Sequence, residues 1–68
     1  MTTVKELRQA MNITQKDIAK QMNVAQSTVC MWESGNAKPP IDKIVKLAEI
    51  LNVTVEELVY IFTHNTEK

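Results

Sequence analysis

Several residue types that carry specialised chemistry are almost missing from this 68-residue chain, which has one cysteine, one glycine, two prolines and one histidine. A lone cysteine forms no internal disulfide, which excludes the small disulfide-stapled class. One glycine and two prolines are too few for a linker, a collagen-like repeat or a low-complexity segment. No apolar run reaches the roughly 18 residues of a membrane span, and none reads as a signal-peptide core. A reducing cytoplasm is therefore the expected compartment, with no membrane partner. A charge surplus is missing too, since eight Lys and Arg balance eight Asp and Glu. Bulk charge thus announces neither a polyanionic partner nor a solvating acidic tail. The only histidine, His64, lies near the C-terminal end, and Cys30 has no base beside it in sequence. Without a His/Cys cluster or a glycine-rich phosphate loop, no nucleophile, metal site or nucleotide pocket assembles. No catalysis, cofactor, metal or small-molecule ligand is expected.

What is present is a helical pattern. Apolar residues make up 44% of the chain, more than a disordered segment carries. A chain this short is one domain that hides about 60% of its unfolded surface. Helical spacing recurs in five blocks: Val4, Leu7, Met11; Ile18, Ala19, Met22; Val29, Trp32; Ile44, Leu47, Ala48, Leu51; and Leu58, Val59, Phe62. Between blocks the same punctuation returns, in Asn12-Ile13, Asn23-Val24 and Asn52-Val53. Asn tolerates the left-handed turn that closes a helix, and the apolar residue after it packs back on that helix. Thr14 and Thr54 each have an acid three residues on, Asp17 and Glu57, the pattern of a capping box. Ser34 to Pro40 holds the only glycine and both prolines, which makes it the one extended loop. Helices are expected near 2–11, 15–22, 26–33, 41–51 and 55–62. The domain spans 1–63 and a tail, 64–68, frays.

The second and third helices are joined by about three residues, which suits a steep crossing rather than a side-by-side pair. Ala19 supplies the small residue at the crossing and Asn23 the turn, so the pair is a helix-turn-helix. From Gln15 to Ser34 and on through the Gly-Asn-Ala-Lys-Pro loop, the chain resembles the DNA-binding domain of the lambda-repressor-like family, also called Cro or XRE. The features that carry the resemblance are Thr14-Gln15, Ala19, Asn23, Trp32-Glu33, Pro39, Leu47-Ala48 and Leu51-Asn52-Val53, and it covers nearly the whole chain. It implies an all-α, compact five-helix fold with the helix-turn-helix at helices 2 and 3. Ala25 departs from the Ser or Thr N-cap that the family favours, and Cys30 and Met31 from its polar or basic residues.

With Val29 and Trp32 turned inward, a helical wheel turns Ser27, Cys30, Met31 and Ser34 outward, with Gln26 and Thr28 at the flanks. A helix in the major groove reads base edges with its N-terminal residues. Gln26, Ser27, Thr28 and Met31 are the expected base readers, Gln26 suited to adenine and Met31 to apolar contact with a thymine methyl. A·T pairs are expected opposite Gln26 and Met31. No Lys or Arg occurs from Val24 to Ala37, so phosphate contacts fall to Gln15, Lys16, Lys20, Asn36 and Lys38. Those lysines lie in the half of the chain, residues 1–40, that carries the positive balance. Cys30 is read as a small semi-exposed filler. The resemblance also implies that Arg8 pairs with Glu33 as a structural ion pair. A bidentate Arg would neutralise an acid that otherwise repels phosphate.

One reading helix spans few base pairs, so a homodimer on an inverted-repeat operator is expected, at least on DNA. Val55, Val59, Tyr60 and Phe62 of the fifth helix are the expected interface, since that helix holds more apolar side chains than one face buries. The reading is a small dimeric repressor of bacterial or phage type. The competing one is a protein-interaction module, antitoxin-like or an anti-repressor subunit, acting through the same fifth helix.

Overall fold

The computed structural model describes residues 3–64. Five helices follow one another: α1 (Val4–Ala10), α2 (Gln15–Met22), α3 (Gln26–Ser34), α4 (Ile41–Leu51) and α5 (Val55–His64). α2 packs on α3 and α4, and α4 on α5. Strands are absent among the described residues.

Three helices begin on reciprocal caps. Thr3, Thr14 and Thr54 each accept from the backbone N–H three residues on, and Glu6, Asp17 and Glu57 each accept from the cap's own N–H, all at 3.0–3.1 Å. Each box satisfies two backbone groups that a helix start leaves unpaired. The Thr3–Glu6 box sets the start of α1 at Val4, inside the expected boundary near residue 2, which lies outside the described residues.

The endings repeat one device. Asn12, Asn23 and Asn52 adopt φ of 62°, 59° and 61°, and Gly35 takes 87°. Behind each, the next N–H reaches back five residues: Ile13 to the Arg8 carbonyl at 3.1 Å, and Val24 to Ala19, Asn36 to Met31 and Val53 to Ala48 at 3.0 Å. This is the hydrogen bond of a Schellman ending, and the β-branched residue beside each Asn packs on the core.

The core joins Val4 of α1 to Ile18, Ala19 and Met22, to Val29 and Trp32, to Ile44, Leu47, Ala48 and Leu51, and to Leu58, Ile61 and Phe62. The expected apolar stripes supply almost all of it. Ile61 is the core residue the stripes omit, and Met11 falls out of them: α1 ends at Ala10, and Met11 lies outside the helix and 42% exposed.

Two expectations about α5 are corrected. The helix does not stop at residue 62. Thr63 and His64 continue it, the Thr63 hydroxyl donates to the Tyr60 carbonyl at 3.1 Å, and the His64 ring stacks on Tyr60 with centroids 3.9 Å apart. Residue 64 thus belongs to the helix, and the rest of the expected tail, 65–68, lies outside the described residues. Phe62, expected at a dimer interface, is 7% exposed. It faces Val4, Trp32 and the 35–38 loop across a crevice of about 10 Å³, so its ring closes the base of the core.

Candidate nucleic-acid interface

The site follows from how α2 holds α3. Ala19 is buried at the crossing, where a longer side chain would push the helices apart. Asn23 turns the chain, and Ala25 starts α3 with no side-chain cap. Val29 and Trp32 lock the inner face into the core, at 1% and 6% exposure. The outer face therefore presents Gln26, Ser27, Cys30, Met31 and Ser34, all exposed. Thr28 is half-buried at the edge of this face. The first backbone N–H groups of α3, left without a side-chain partner, point the positive end of the helix dipole outward.

A charged network braces the far end of α3. Arg8 of α1 donates from Nε to Glu33 Oε2 at 2.6 Å and from Nη2 to Oε1 at 3.3 Å, while its Nη1 donates to the Ile13 carbonyl at 3.0 Å. The two side chains are only 11% and 6% exposed. Gln15 adds a third donor, from Nε2 to Glu33 Oε1 at 3.0 Å. Glu33 thereby ties α3 to α1 and α2, and Arg8 adds the turn before α2 through the Ile13 carbonyl. No buried side-chain nitrogen or oxygen is left unpaired among the described residues.

Around this frame the cations sit apart. Lys16 and Lys20 are exposed on α2, and Lys38 and Asn36 are exposed in the loop after α3. Gln15, expected at phosphate, is half-buried and donates one of its two amide protons to Glu33. Sequence spacing gives no sign of that bond, which spans 18 positions. Asp17 lies between the two lysines. The Thr14 backbone N–H, then the Thr14 hydroxyl region and the two ammonium groups, hold its carboxyl below the usual aspartate range.

A family model described as helix-turn-helix, of the Cro/C1 type, matches residues 4–58. The chain belongs to the Cro/C1-type helix-turn-helix family. This domain is similar to a regulator of transcription from Archaeoglobus fulgidus described as uncharacterised, 33% identical over 84% of this chain and 80% of that protein. It also resembles the transcriptional activator BcrR of Enterococcus faecalis, 31% identical over 81% of this chain, and the phage repressor RstR of Vibrio cholerae, 31% identical over 75%. The domain spans 27% of BcrR and 46% of RstR, so in those proteins it is one part of a longer chain. No solved structure matches. These relatives are described as regulators of transcription.

Beyond α3, α5 leaves Tyr60 53% exposed and Val55 and Val59 half-buried. Sequence reasoning missed Ile41 and Val45 on α4, which are 65% and 42% exposed. Their signal was available, because both fall off the stripe formed by Ile44, Leu47, Ala48 and Leu51. Among the described residues no helix is long and apolar enough to cross a membrane, and no cluster of His, Cys, Asp and Glu is arranged for a metal.

Proposed function

We propose that this domain binds double-stranded DNA sequence-specifically, laying α3 in the major groove as a homodimer on an inverted-repeat operator. The observation that carries the reading is the division of α3 itself. Val29 and Trp32 are fixed in the core, and Gln26, Ser27 and Met31 stand exposed on a helix that ends against a braced carboxylate. Gln26 has the paired donor and acceptor for adenine, Ser27 and Thr28 bond to several bases, and Met31 meets a methyl group. Lys16, Lys20 and Lys38, with Asn36 and the second amide proton of Gln15, take phosphates. The proposed dimer surface is Val55, Val59 and Tyr60, and Phe62 is withdrawn from it. Repression is the proposed sense, supported by the likeness to RstR. The likeness to BcrR supports the view that operator position, not the domain, sets that sign.

The test is selection from random duplex DNA at low salt, with the bound pool sequenced. An enriched inverted repeat with A·T pairs opposite Gln26 and Met31 is the expected result. If each protomer engages roughly three phosphates through cations, log K falls with log salt at a slope on the order of −5. A folded protein that enriches no sequence, or binds with no salt dependence, refutes the reading.

A further inference from the structure

The outer face of α3 is chemically split along its length. Its first turn carries Gln26 and Ser27, both exposed and both able to donate and accept. Its second half carries Cys30, Met31 and Ser34, also exposed. There effective donors are gone, and the Ser34 oxygen is left as the one good side-chain acceptor of that half. The Ser34 hydroxyl donates to the Met31 carbonyl at 3.1 Å, so its only proton is turned back on the helix. A thioether is a weak acceptor and a thiol a weak donor. No Lys or Arg stands between Val24 and Ala37 to supply a stronger one. Met31 is 42% exposed, so its side chain is not held by the core.

In the major groove, base pairs differ by donors and acceptors and by one apolar feature, the C5 methyl of thymine. Cys30 and Met31, with no effective donor and only weakly accepting sulfur, do not by themselves distinguish the thymine O4 from the cytosine N4. They can distinguish a methylated pyrimidine from an unmethylated one. We propose that the Cys30–Met31 surface is a pyrimidine C5-methyl reader, to which 5-methylcytosine and thymine are equivalent and which binds uracil and cytosine both more weakly. This rests on the proposed placement of α3 in the major groove. It goes further by assigning the second half of the helix to a chemical group and not to a base. Binding at a site with cytosine at that position then depends on whether the DNA is methylated.

The experiment uses the full chain and the operator recovered by selection. Each thymine is replaced in turn by deoxyuridine, and at the sensitive position the T·A pair is replaced by C·G with or without a 5-methyl group on the cytosine. Burying one methyl corresponds to about a fourfold change in affinity. The expected result is one thymine per half-site whose deoxyuridine form binds about fourfold more weakly. At that position 5-methylcytosine binds within about twofold of thymine, and unmodified cytosine resembles uracil. Met31→Ala, a change at an exposed side chain, abolishes the thymine–uracil difference, so that it binds the two operators with equal affinity. Deoxyuridine tolerated at every position, a methyl effect that persists in Met31→Ala, or 5-methylcytosine binding no better than cytosine each overturns the proposal and leaves the DNA reading standing. No enriched sequence at all, from protein shown to be folded, overturns both.

Discussion

Replacing Arg8 by Met removes the donor that neutralises Glu33 and leaves the carboxylate at 6% exposure with one remaining partner, the Gln15 amide at 3.0 Å. Removing one member of a buried pair costs roughly 3–5 kcal/mol, because the other charge stays where water cannot reach it. Here Gln15 still donates and the pair lies near the surface, which places the cost at the low end, about 3 kcal/mol. A domain of this length has roughly 3–10 kcal/mol in total, so the variant sits close to its unfolding threshold. Urea titration followed by helical circular dichroism reads the loss directly. Arg8→Lys separates charge from geometry. It keeps the cation but not the fork that meets both carboxylate oxygens and Ile13, so most of the stability is still lost. Adding Glu33→Leu to Arg8→Met recovers part of the loss, since no buried charge then stands alone. The salt slope of DNA binding stays unchanged in the Arg8→Met, Glu33→Leu double variant, which lacks the cation and keeps enough stability to measure. A cost below about 1 kcal/mol, the range of an exposed ion pair, refutes the reasoning. So does a slope reduced by about 1 per protomer, which would make Arg8 a phosphate ligand.

Other perturbations test the local chemistry. Ala25→Ser supplies the missing cap of α3 and raises stability by about 1 kcal/mol, seen as a thermal midpoint roughly 4–8 °C higher. Asn23→Ala at φ 59° costs about 1–2 kcal/mol in urea, whereas Asn23→Gly is close to neutral. Asp17 titrates in the folded chain below its unfolded value, so the unfolded state binds more protons in between. Its contribution is complete above about pH 4 and is lost as pH falls through the lowered folded value, and stability measured against pH flattens there in Asp17→Asn. Tyr60→Ser weakens self-association in sedimentation without changing the helical spectrum; unchanged association moves the dimer surface elsewhere.

The helices and their boundaries were legible because the signals are local. Thr14-x-x-Asp17 and Thr54-x-x-Glu57 place two starts, and three Asn-β-branched pairs place three ends. Thr3-x-x-Glu6 carries the same signature as the other boxes and was passed over, which is why α1 begins later than expected. The end of α5 was harder, because Thr63 and His64 are held by contacts to Tyr60 that no cap residue advertises. Phe62 was misassigned for a different reason. A continuous apolar run from Leu58 to Phe62 does not say which members face inward, and only the packing against Val4 and Trp32 decides it. Gln15 shows the same limit, since its partner is set by tertiary geometry.

Net charge was the least informative number in the sequence, and the fold explains why. Residues 12–38, which form the face proposed to meet DNA, contain two acids, Asp17 and Glu33, and three lysines. Both acids are already answered. Glu33 is closed off by Arg8 and Gln15, and Asp17 is bound to the Thr14 N–H between Lys16 and Lys20. Of the acids outside this segment, Glu6 lies on α1, Asp42 and Glu49 lie on α4 beside Lys43 and Lys46, and Glu56 and Glu57 lie on α5. At a Debye length of about 8 Å, charges on another face of a domain 22–26 Å across are largely screened from a phosphate at α3. A phosphate at the proposed face would therefore meet Lys16, Lys20 and Lys38 and the open N–H groups of α3, a positive local field on a chain with no net charge. Moving one acid onto this face, as in Ser27→Glu, should weaken DNA binding far more than adding the same charge to α5. Equal effects at the two places would show that total charge governs binding after all.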